Sequence, residues 1–316
     1  MYYIGVDLGG TKIAAGIVNE EGNIVKKASV PTGRTREPSL IVNDLCMLVL
    51  DLIKEYGITE KDVHCIGIGS PGTHDREKGI ILYNNNLCFN NVPIREELQK
   101  LINVPIYLEN DANCAAIAES VAGAAKGMDS AIIITIGTGI GGGIILNQKL
   151  FTGSNGIGGE LGHTVIELNG EQCTCGRKGC WEAYSAAPAL IRETRKAAEK
   201  SPQSKIHELC GGNLDNIDAK TAFDAARLGD EAGCAVVDKY IDIFAEALAN
   251  IVNIFQPNVI VIGGGVSKEG DNLILPLKEK MKGKTYSNQD IPATPIVVAR
   301  MGNDAGIVGA AFISKV

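Results

Sequence analysis

The sequence predicts an α/β protein built from two domains with a cleft between them. The chain has 316 residues, which exceeds the length at which a single hydrophobic core usually divides. Short apolar segments with strand character alternate with segments of helical spacing. A strand, glycine turn and strand at Gly9 to Asn19 recur at Gly137 to Asn147, which indicates that the two halves begin alike.

Strands are predicted where short apolar runs end at glycine, proline or asparagine. They are Tyr2 to Leu8, Ile13 to Val18, Asn23 to Val30, Val63 to Gly69, Pro105 to Leu108, Ala131 to Ile136, Ile144 to Asn147, Asn258 to Ile262 and Ile296 to Arg300. An asparagine-rich segment is predicted to be a loop, and its members are Asn84, Asn85, Asn86, Asn90 and Asn91.

Helices are predicted where apolar residues recur at three- and four-residue spacing. They are Leu40 to Tyr56, Ile94 to Ile102, Ala112 to Ala124, Ala187 to Glu199, Ala219 to Leu228, Glu231 to Phe255, Asn272 to Lys282 and Ala305 to Ser314.

Charge and cysteine content exclude several classes of partner. The net charge is −7 without a basic run, so nucleic acid and an anionic membrane are not expected partners. The N-terminal residues carry no basic region typical of a signal peptide, and the long uncharged runs are broken by glycine, asparagine or proline. Six of the nine cysteines are scattered singly, which favours reduced thiols and a cytoplasmic location.

The segment from Glu160 to Glu182 has the composition of a metal-binding loop. His163, Cys173, Cys175 and Cys180 supply one imidazole and three thiols within a glycine-rich, polar stretch. Four ligands of this kind fit a closed structural zinc site, which would hold the flanking carboxylates rigidly without a regular scaffold. Buried packing cysteines and a disulfide are the alternatives, and the loop composition and the cytoplasmic location disfavour them.

Glycine turns between strands present backbone N–H groups without side chains in the way, which suits phosphate. The turn at Gly137 to Gly142 fits the dinucleotide pattern G-x-G-x-x-G, but it leads into a strand where that fingerprint requires a helix. We therefore predict a split nucleotide site in which Thr11, Lys12 and Thr138 add side-chain donors. Asp7 ends the first strand and either binds Mg²⁺ or caps a turn.

A candidate catalytic base follows the strand at Pro105 to Leu108. Asp111 stands with Glu109 and Asn110 at the carboxyl end of that strand, where α/β folds place their ligands. A carboxylate there can accept the proton of an alcohol that attacks a γ-phosphate. The alternative is that Asp111 only caps the following helix. With the phosphate turns and the metal loop, the pattern favours a kinase acting on a polyol.

At these residues the sequence resembles the ROK family of bacterial sugar kinases and repressors, most closely its glucokinases. The matching motifs are DLGGTK (Asp7 to Lys12), ENDAN (Glu109 to Asn113), GTGIGGG (Gly137 to Gly143), GELGH (Gly159 to His163), CTCGRKGCWE (Cys173 to Glu182) and GGGVS (Gly263 to Ser267). The resemblance implies the actin-like ATPase (ribonuclease H-like) fold with an interdomain cleft, in which the last helix returns to the N-terminal domain. We place the small domain at residues 1–117 with 302–316, and the larger one at 118–301.

The resemblance also implies roles for individual residues. Asp111 would be the general base for the sugar 6-hydroxyl, and the residues binding the other hydroxyls would be Asn110, Glu160, His163 and Glu182. The structural zinc ligands would be His163, Cys173, Cys175 and Cys180. The residues serving Mg-ATP would be Asp7, Gly9, Gly10, Thr11, Lys12, Thr138, Gly139 and Gly264.

The function expected from this resemblance is ATP-dependent phosphorylation of glucose to glucose 6-phosphate, in a homodimer or higher homo-oligomer. A kinase for N-acetylmannosamine, mannose, fructose or allose is the alternative, because hydroxyl-binding residues alone do not separate epimers. Sugar-responsive regulators of the family carry a DNA-binding segment before the first phosphate motif. Here Met1 adjoins the first strand and the charge is acidic, which favours the enzyme.

Overall fold

The structure, a computed structural model, describes residues 1–84, 87–286 and 291–316. In these ranges the chain forms two compact units. The first comprises Met1–Ile133, Gly143–Gly159 and Arg300–Val316, and the second comprises Ile134–Gly142 and Glu160–Ala299. The C-terminal residues thus belong to the unit that contains the N-terminus. The domain limits given above stay a prediction.

The secondary structure follows the predicted alternation. The strands are β1 (Tyr2–Leu8), β2 (Lys12–Val18), β3 (Ile24–Pro31), β4 (Val63–Ser70), β5 (Thr73–Asp75), β6 (Ile80–Asn84), β7 (Phe89–Val92), β8 (Ile106–Asn110), β9 (Ser130–Ile136), β10 (Ile140–Leu146), β11 (Lys149–Phe151), β12 (Val259–Gly264) and β13 (Ile296–Val298). The α-helices are α1 (Pro38–Tyr56), α2 (Ile94–Gln99), α3 (Asp111–Val121), α4 (Glu182–Ser185), α5 (Ala187–Lys200), α6 (Ile206–Leu209), α7 (Thr221–Arg227), α8 (Glu231–Phe255), α9 (Asp271–Met281) and α10 (Ala305–Ala311).

The sheet of the first unit has the strand order β3-β2-β1-β4-β8. β1 pairs antiparallel with β2, whereas β1, β4 and β8 run parallel. The register places Asp7 beside Gly69, and Gly69 beside Glu109. Because the carboxyl ends of parallel strands share one edge of a sheet, Asp7 and the start of α3 lie at the same edge.

Helix α10 approaches this sheet closely because two strand residues lack a side chain. A Cβ atom on Gly5 would lie 1.8 Å from the Ile307 carbonyl oxygen, and one on Gly67 would lie 1.8 Å from that of Ala310. Any larger residue at either position would push the helix away. The close packing keeps the N-terminal end of α10 near the end of β1.

A second sheet has the order β11-β10-β9-β12-β13. Its strand β10 begins at Ile140, whereas the sequence predicted a glycine turn up to Gly143. Gly143 is needed for packing instead, since a Cβ there would lie 2.4 Å from the Cβ of Ala116. The turn after β9 is therefore shorter than predicted.

A third sheet, β5-β6-β7, was missed by the sequence analysis. It contains Asn84, Asn90 and Asn91, which were predicted to lie in a loop, whereas Asn85 and Asn86 lie outside the described residues. The loop prediction was wrong for Asn84, Asn90 and Asn91, because pairing with neighbouring strands outweighs the low strand propensity of asparagine.

Among the described residues, no helix combines the length and apolar character that crossing a membrane requires.

Candidate active site

Asp7 is the carboxylate at the end of β1, and it is half-buried. Burial raises the pKa of its carboxyl to about 6, and the nearby negative charge of Asp111 adds to the rise. The Lys12 ammonium opposes the shift but does not cancel it. A carboxyl whose ionisation is opposed by burial and by a second negative charge nearby marks a place where a cation is favourable.

Asp111 is the first residue of α3, but it is not the helix cap. The Asn110 side-chain oxygen accepts the N–H groups of Ala112 at 2.9 Å and Asn113 at 3.3 Å, which makes Asn110 the N-cap. The Asp111 Oδ1 also accepts the Ala112 N–H, at 3.0 Å. The capping alternative for Asp111 is therefore wrong, since Asn110 performs that role.

The Asp111 carboxyl is reachable by water, yet surrounding protein atoms desolvate it and raise its pKa. Hydrogen bonds from backbone N–H groups, including that of Ala112, partly oppose the rise. A carboxylate with a raised pKa accepts a proton more readily at neutral pH. The side chain thus has the accessibility and the basicity that a general base needs.

A buried ion pair fixes the backbone beside these residues. Glu109 is 2% exposed, and its Oε1 accepts hydrogen bonds from Arg76 at 2.5 Å and from the Asn113 amide at 2.8 Å. The Asn110 N–H donates to the same oxygen at 2.8 Å. Removing one partner of a buried pair of this kind costs about 3–5 kcal/mol. Arg76 was not predicted as a site residue, because nothing near it in sequence indicates a partner 33 residues away.

The glycine turn after β1 is closed by backbone hydrogen bonding. The Gly9 N–H donates to the Lys12 carbonyl at 3.1 Å, and the Thr32 hydroxyl donates to the Gly9 carbonyl at 2.7 Å. Thr11 and Lys12 are exposed, and Gly10 is half-exposed beside them. Two hydrogen bonds thus fix the backbone of the turn at Gly9 while its side-chain donors face solvent, which suits the binding of a phosphate.

The glycine turn after β9 lies in the second unit. The Gly137 N–H donates to the Gly139 carbonyl at 2.9 Å, and Thr138 between them is exposed. Gly264 at the end of β12 has φ of +84°, and a Cβ there would lie 2.3 Å from the Ile136 carbonyl oxygen. Only glycine meets both constraints. The structure thus brings Gly264 to the base of this turn.

The four predicted metal ligands converge. The ligand atoms of His163, Cys173, Cys175 and Cys180 all lie within 4.8 Å of one another. The Cys173 sulfur lies 3.6 Å from His163 Nδ1, and the sulfurs of Cys175 and Cys180 lie 3.7 Å apart. A tetrahedral zinc with Zn–S bonds of about 2.3 Å separates two sulfurs by about 3.8 Å, and a sulfur from a nitrogen by about 3.6 Å. The cluster therefore has the dimensions of a zinc site.

The predicted sugar-binding residues of the second unit adjoin this cluster. Glu160 is exposed and precedes the short 3₁₀ turn that ends at His163, whose N–H donates to the Glu160 carbonyl at 3.0 Å. With His163 Nδ1 directed at Cys173, the other ring nitrogen carries the proton when a metal is bound. Glu182 starts α4 and is half-buried.

The structure therefore groups the predicted site residues by unit. The first unit brings together Asp7, Gly9, Gly10, Thr11, Lys12, Asn110 and Asp111 at one edge of its sheet. The second unit brings together Thr138, Gly139, Glu160, His163, Glu182, Gly264 and the three cysteines. The functions of these residues stay predictions.

Fold and site together define a two-unit α/β protein with glycine turns suited to phosphate and acidic residues at the strand ends. Residues 3–316 match the ROK family, so the chain belongs to the ROK family. It is 40% identical to a glucokinase of Thermotoga maritima over 99% of this chain and 96% of the relative. It is 37% identical to a glucokinase of Streptomyces coelicolor, over 99% of this chain and 97% of that one.

Among solved structures, the chain is similar to a ROK family glucokinase from Streptomyces griseus crystallised with glucose and AMPPNP. The TM-score is 0.81 at 35% identity, and the likeness covers 98% of each chain. The predicted family and the two-domain α/β fold of actin-like ATPases are thereby confirmed.

Proposed function

We propose that the protein is an ATP-dependent glucokinase that transfers the γ-phosphoryl group of ATP to the 6-hydroxyl of glucose. The observation that carries the proposal is the pair of carboxyls with raised pKa at the carboxyl edge of the first sheet, Asp7 and Asp111. Full-length similarity to glucokinases supports the substrates. Phosphoryl transfer requires a base, a cation site and phosphate donors, and the proposed residues supply each of them.

In the proposed reaction Asp111 accepts the proton of the glucose 6-hydroxyl. The freed oxygen forms a bond to the γ-phosphorus, while the bond from that phosphorus to the bridging oxygen breaks and ADP leaves with its electron pair. Asn110 has its oxygen engaged as the helix cap, so its amide nitrogen is the donor for a sugar hydroxyl. Glu160, His163 and Glu182 are the sugar-binding residues proposed in the second unit.

The phosphates of ATP are held by backbone and side-chain donors in the two glycine turns. In the first unit these are Gly9, Gly10, Thr11 and Lys12, and in the second unit Thr138, Gly139 and Gly264. Asp7 would hold Mg²⁺, which when bound neutralises charge on the phosphate oxygens. The Asp7 carboxyl must be ionised for this role, and the positive charges of Mg²⁺ and Lys12 both favour the ionised form.

The substrate is tested by an assay of ADP release with Mg-ATP against a panel of hexoses. We expect the highest kcat/KM for glucose among glucose, mannose, fructose, allose and N-acetylmannosamine, and no reaction with 6-deoxyglucose, which lacks the accepting hydroxyl. A higher kcat/KM for another hexose would mean that this other hexose, and not glucose, is the preferred substrate. Absence of ADP release with every hexose would reject the kinase.

We also propose that the His163, Cys173, Cys175 and Cys180 cluster binds one structural zinc ion. Metal analysis of freshly purified protein should find about one zinc per chain. Cys175→Ser should lose the zinc and raise the KM for glucose, because the metal fixes the segment that carries Glu160 and Glu182. Protein that is fully active without zinc would contradict this proposal.

The remaining expectations concern location and assembly. The nine cysteines all lie among the described residues and form no disulfide there, which fits the proposed cytoplasmic location. The homodimer or higher homo-oligomer implied by the family resemblance is measured directly by light scattering. The domain limits at residues 117 and 118, and at 301 and 302, are part of the same proposal.

A further inference from the structure

The Glu182 carboxylate connects two parts of the second unit that are far apart in sequence. Its Oε2 accepts the N–H of Ile140 at 3.0 Å, at the end of the glycine turn that follows β9. Its Oε1 accepts the hydroxyl of Thr174 at 3.1 Å, within the cysteine segment. The two oxygens of one side chain thus link the metal cluster to the turn assigned to nucleotide.

Close packing reinforces this link at two glycines. A Cβ atom on Gly139 would lie 2.5 Å from Glu182 Oε2, so the turn follows the carboxylate closely because it lacks a side chain there. A Cβ atom on Gly162 would lie 2.4 Å from the Ile140 carbonyl oxygen. The Ile140 N–H therefore donates to Glu182, and the Ile140 carbonyl lies against the backbone of Gly162.

Each of these contacts lies one or two residues from a proposed metal ligand. Thr174 follows Cys173, Glu182 comes two residues after Cys180, and Gly162 precedes His163. The Cys173 thiol donates to Glu182 Oε1 at 3.6 Å, at the same oxygen that accepts the Thr174 hydroxyl.

From this geometry we infer that Glu182 is a positioning residue that couples zinc in the cluster to nucleotide at the Gly137–Gly139 turn. Zinc fixes the ligands that adjoin Glu182 and Gly162 in sequence. Glu182 and Gly162 in turn contact Ile140 and set its position. The turn therefore has one well-defined position only when the metal is bound. The inference rests on the proposed function, since it takes the turn as a nucleotide site.

Coupling between two sites is reciprocal, so the inference makes two linked predictions. Removing zinc should weaken AMPPNP binding, in the absence of sugar, by roughly tenfold. Saturating AMPPNP should strengthen zinc binding by the same factor. The first is measured by titration calorimetry on metal-loaded and chelator-treated protein, and the second by equilibrium competition for Zn²⁺ with a coloured chelator. Neither readout depends on catalysis.

Two variants distinguish coupling through Glu182 from a general loosening of the unit. Glu182→Ala removes both hydrogen bonds and should abolish the coupling. Glu182→Gln should preserve most of it, because its oxygen can accept from Ile140 while its amide donates to Thr174. The matched control is Glu171→Ala, which removes an exposed carboxylate from the same segment and should leave the coupling unchanged.

The outcomes separate the inference from the proposed function. If metal-loaded protein binds AMPPNP with the same affinity as zinc-free protein, the inference is overturned and the kinase assignment stands. The inference is also overturned if zinc removal weakens AMPPNP binding equally in the native protein and in Glu182→Ala. The effect of zinc would then not depend on Glu182. Failure of metal-loaded native protein to bind AMPPNP would overturn the proposed function as well.

Discussion

Asp111→Asn should reduce kcat by about 10³-fold, near the middle of the range of about 10²- to 10⁴-fold for loss of a general base. Asparagine has nearly the same shape, and its oxygen can still accept the Ala112 N–H that Asp111 Oδ1 accepts at 3.0 Å. It cannot take the proton of an attacking alcohol. The substitution therefore removes the basic function and leaves the start of α3 intact.

The stability of Asp111→Asn shows whether a loss of kcat comes from the missing base or from a disturbed fold. Asp111 contributes to the raised pKa of Asp7, so removing its charge relieves a repulsion and should lower that pKa. The melting temperature of Asp111→Asn should equal or exceed that of the native protein, and the Kd values for glucose and AMPPNP should change little. A surface substitution, Asp215→Asn, is the control and should leave kcat unchanged. A loss of kcat below tenfold would reject Asp111 as the base.

Local patterns were sufficient to predict much of the fold. Helix α8 was predicted from Glu231 to Phe255 and has those limits, since a long amphipathic pattern follows Asp230, whose side chain caps the Gly233 N–H. The strand β1 was likewise predicted in full. In these elements each residue's own preference agrees with its environment, so no distant partner is needed to define them.

The same reasoning predicted which metal ligands would meet, because all four lie within 18 consecutive residues, from His163 to Cys180. Elements that depend on a partner, whether it lies a few residues or many residues away, were not predicted. The short strands β5, β6 and β7 are stabilised by one another, and Arg76 pairs with Glu109 across the chain. Glu182 was predicted only as a sugar ligand, since nothing near it in sequence indicates its hydrogen bond to Ile140.

The last helix offers the clearest case of a constraint that the sequence does not reveal. Gly306 lies 299 positions after Asp7, yet a Cβ atom on it would lie 2.6 Å from the Asp7 carboxyl carbon and 2.7 Å from Oδ2. These distances are too short for any side chain to coexist with the observed Asp7 position. The absence of a side chain at Gly306 therefore defines where the carboxylate lies.

Gly306→Ala should displace the Asp7 carboxylate and lower kcat/KM for Mg-ATP on the order of 100-fold, because small misplacements of a site group have effects of this size. The concentration of Mg²⁺ needed for half-maximal activity should rise, and the Kd for glucose should stay unchanged. Stability should be retained, because alanine favours a helix over glycine by about 1 kcal/mol.

Gly302→Ala is the control, because it should lower stability without changing the Mg²⁺ dependence of activity. Among the described residues, apart from its chain neighbours, no atom lies within 4 Å of a Cβ at Gly302, but the Gly302 φ of +53° is strained for alanine. That variant should melt at a lower temperature and keep a native Mg²⁺ dependence, since it does not touch Asp7. Kinetics and thermal unfolding of both variants separate displacement of a carboxylate from loss of stability. A native Mg²⁺ dependence in Gly306→Ala would mean that the position of Asp7 does not control binding of the metal–nucleotide complex.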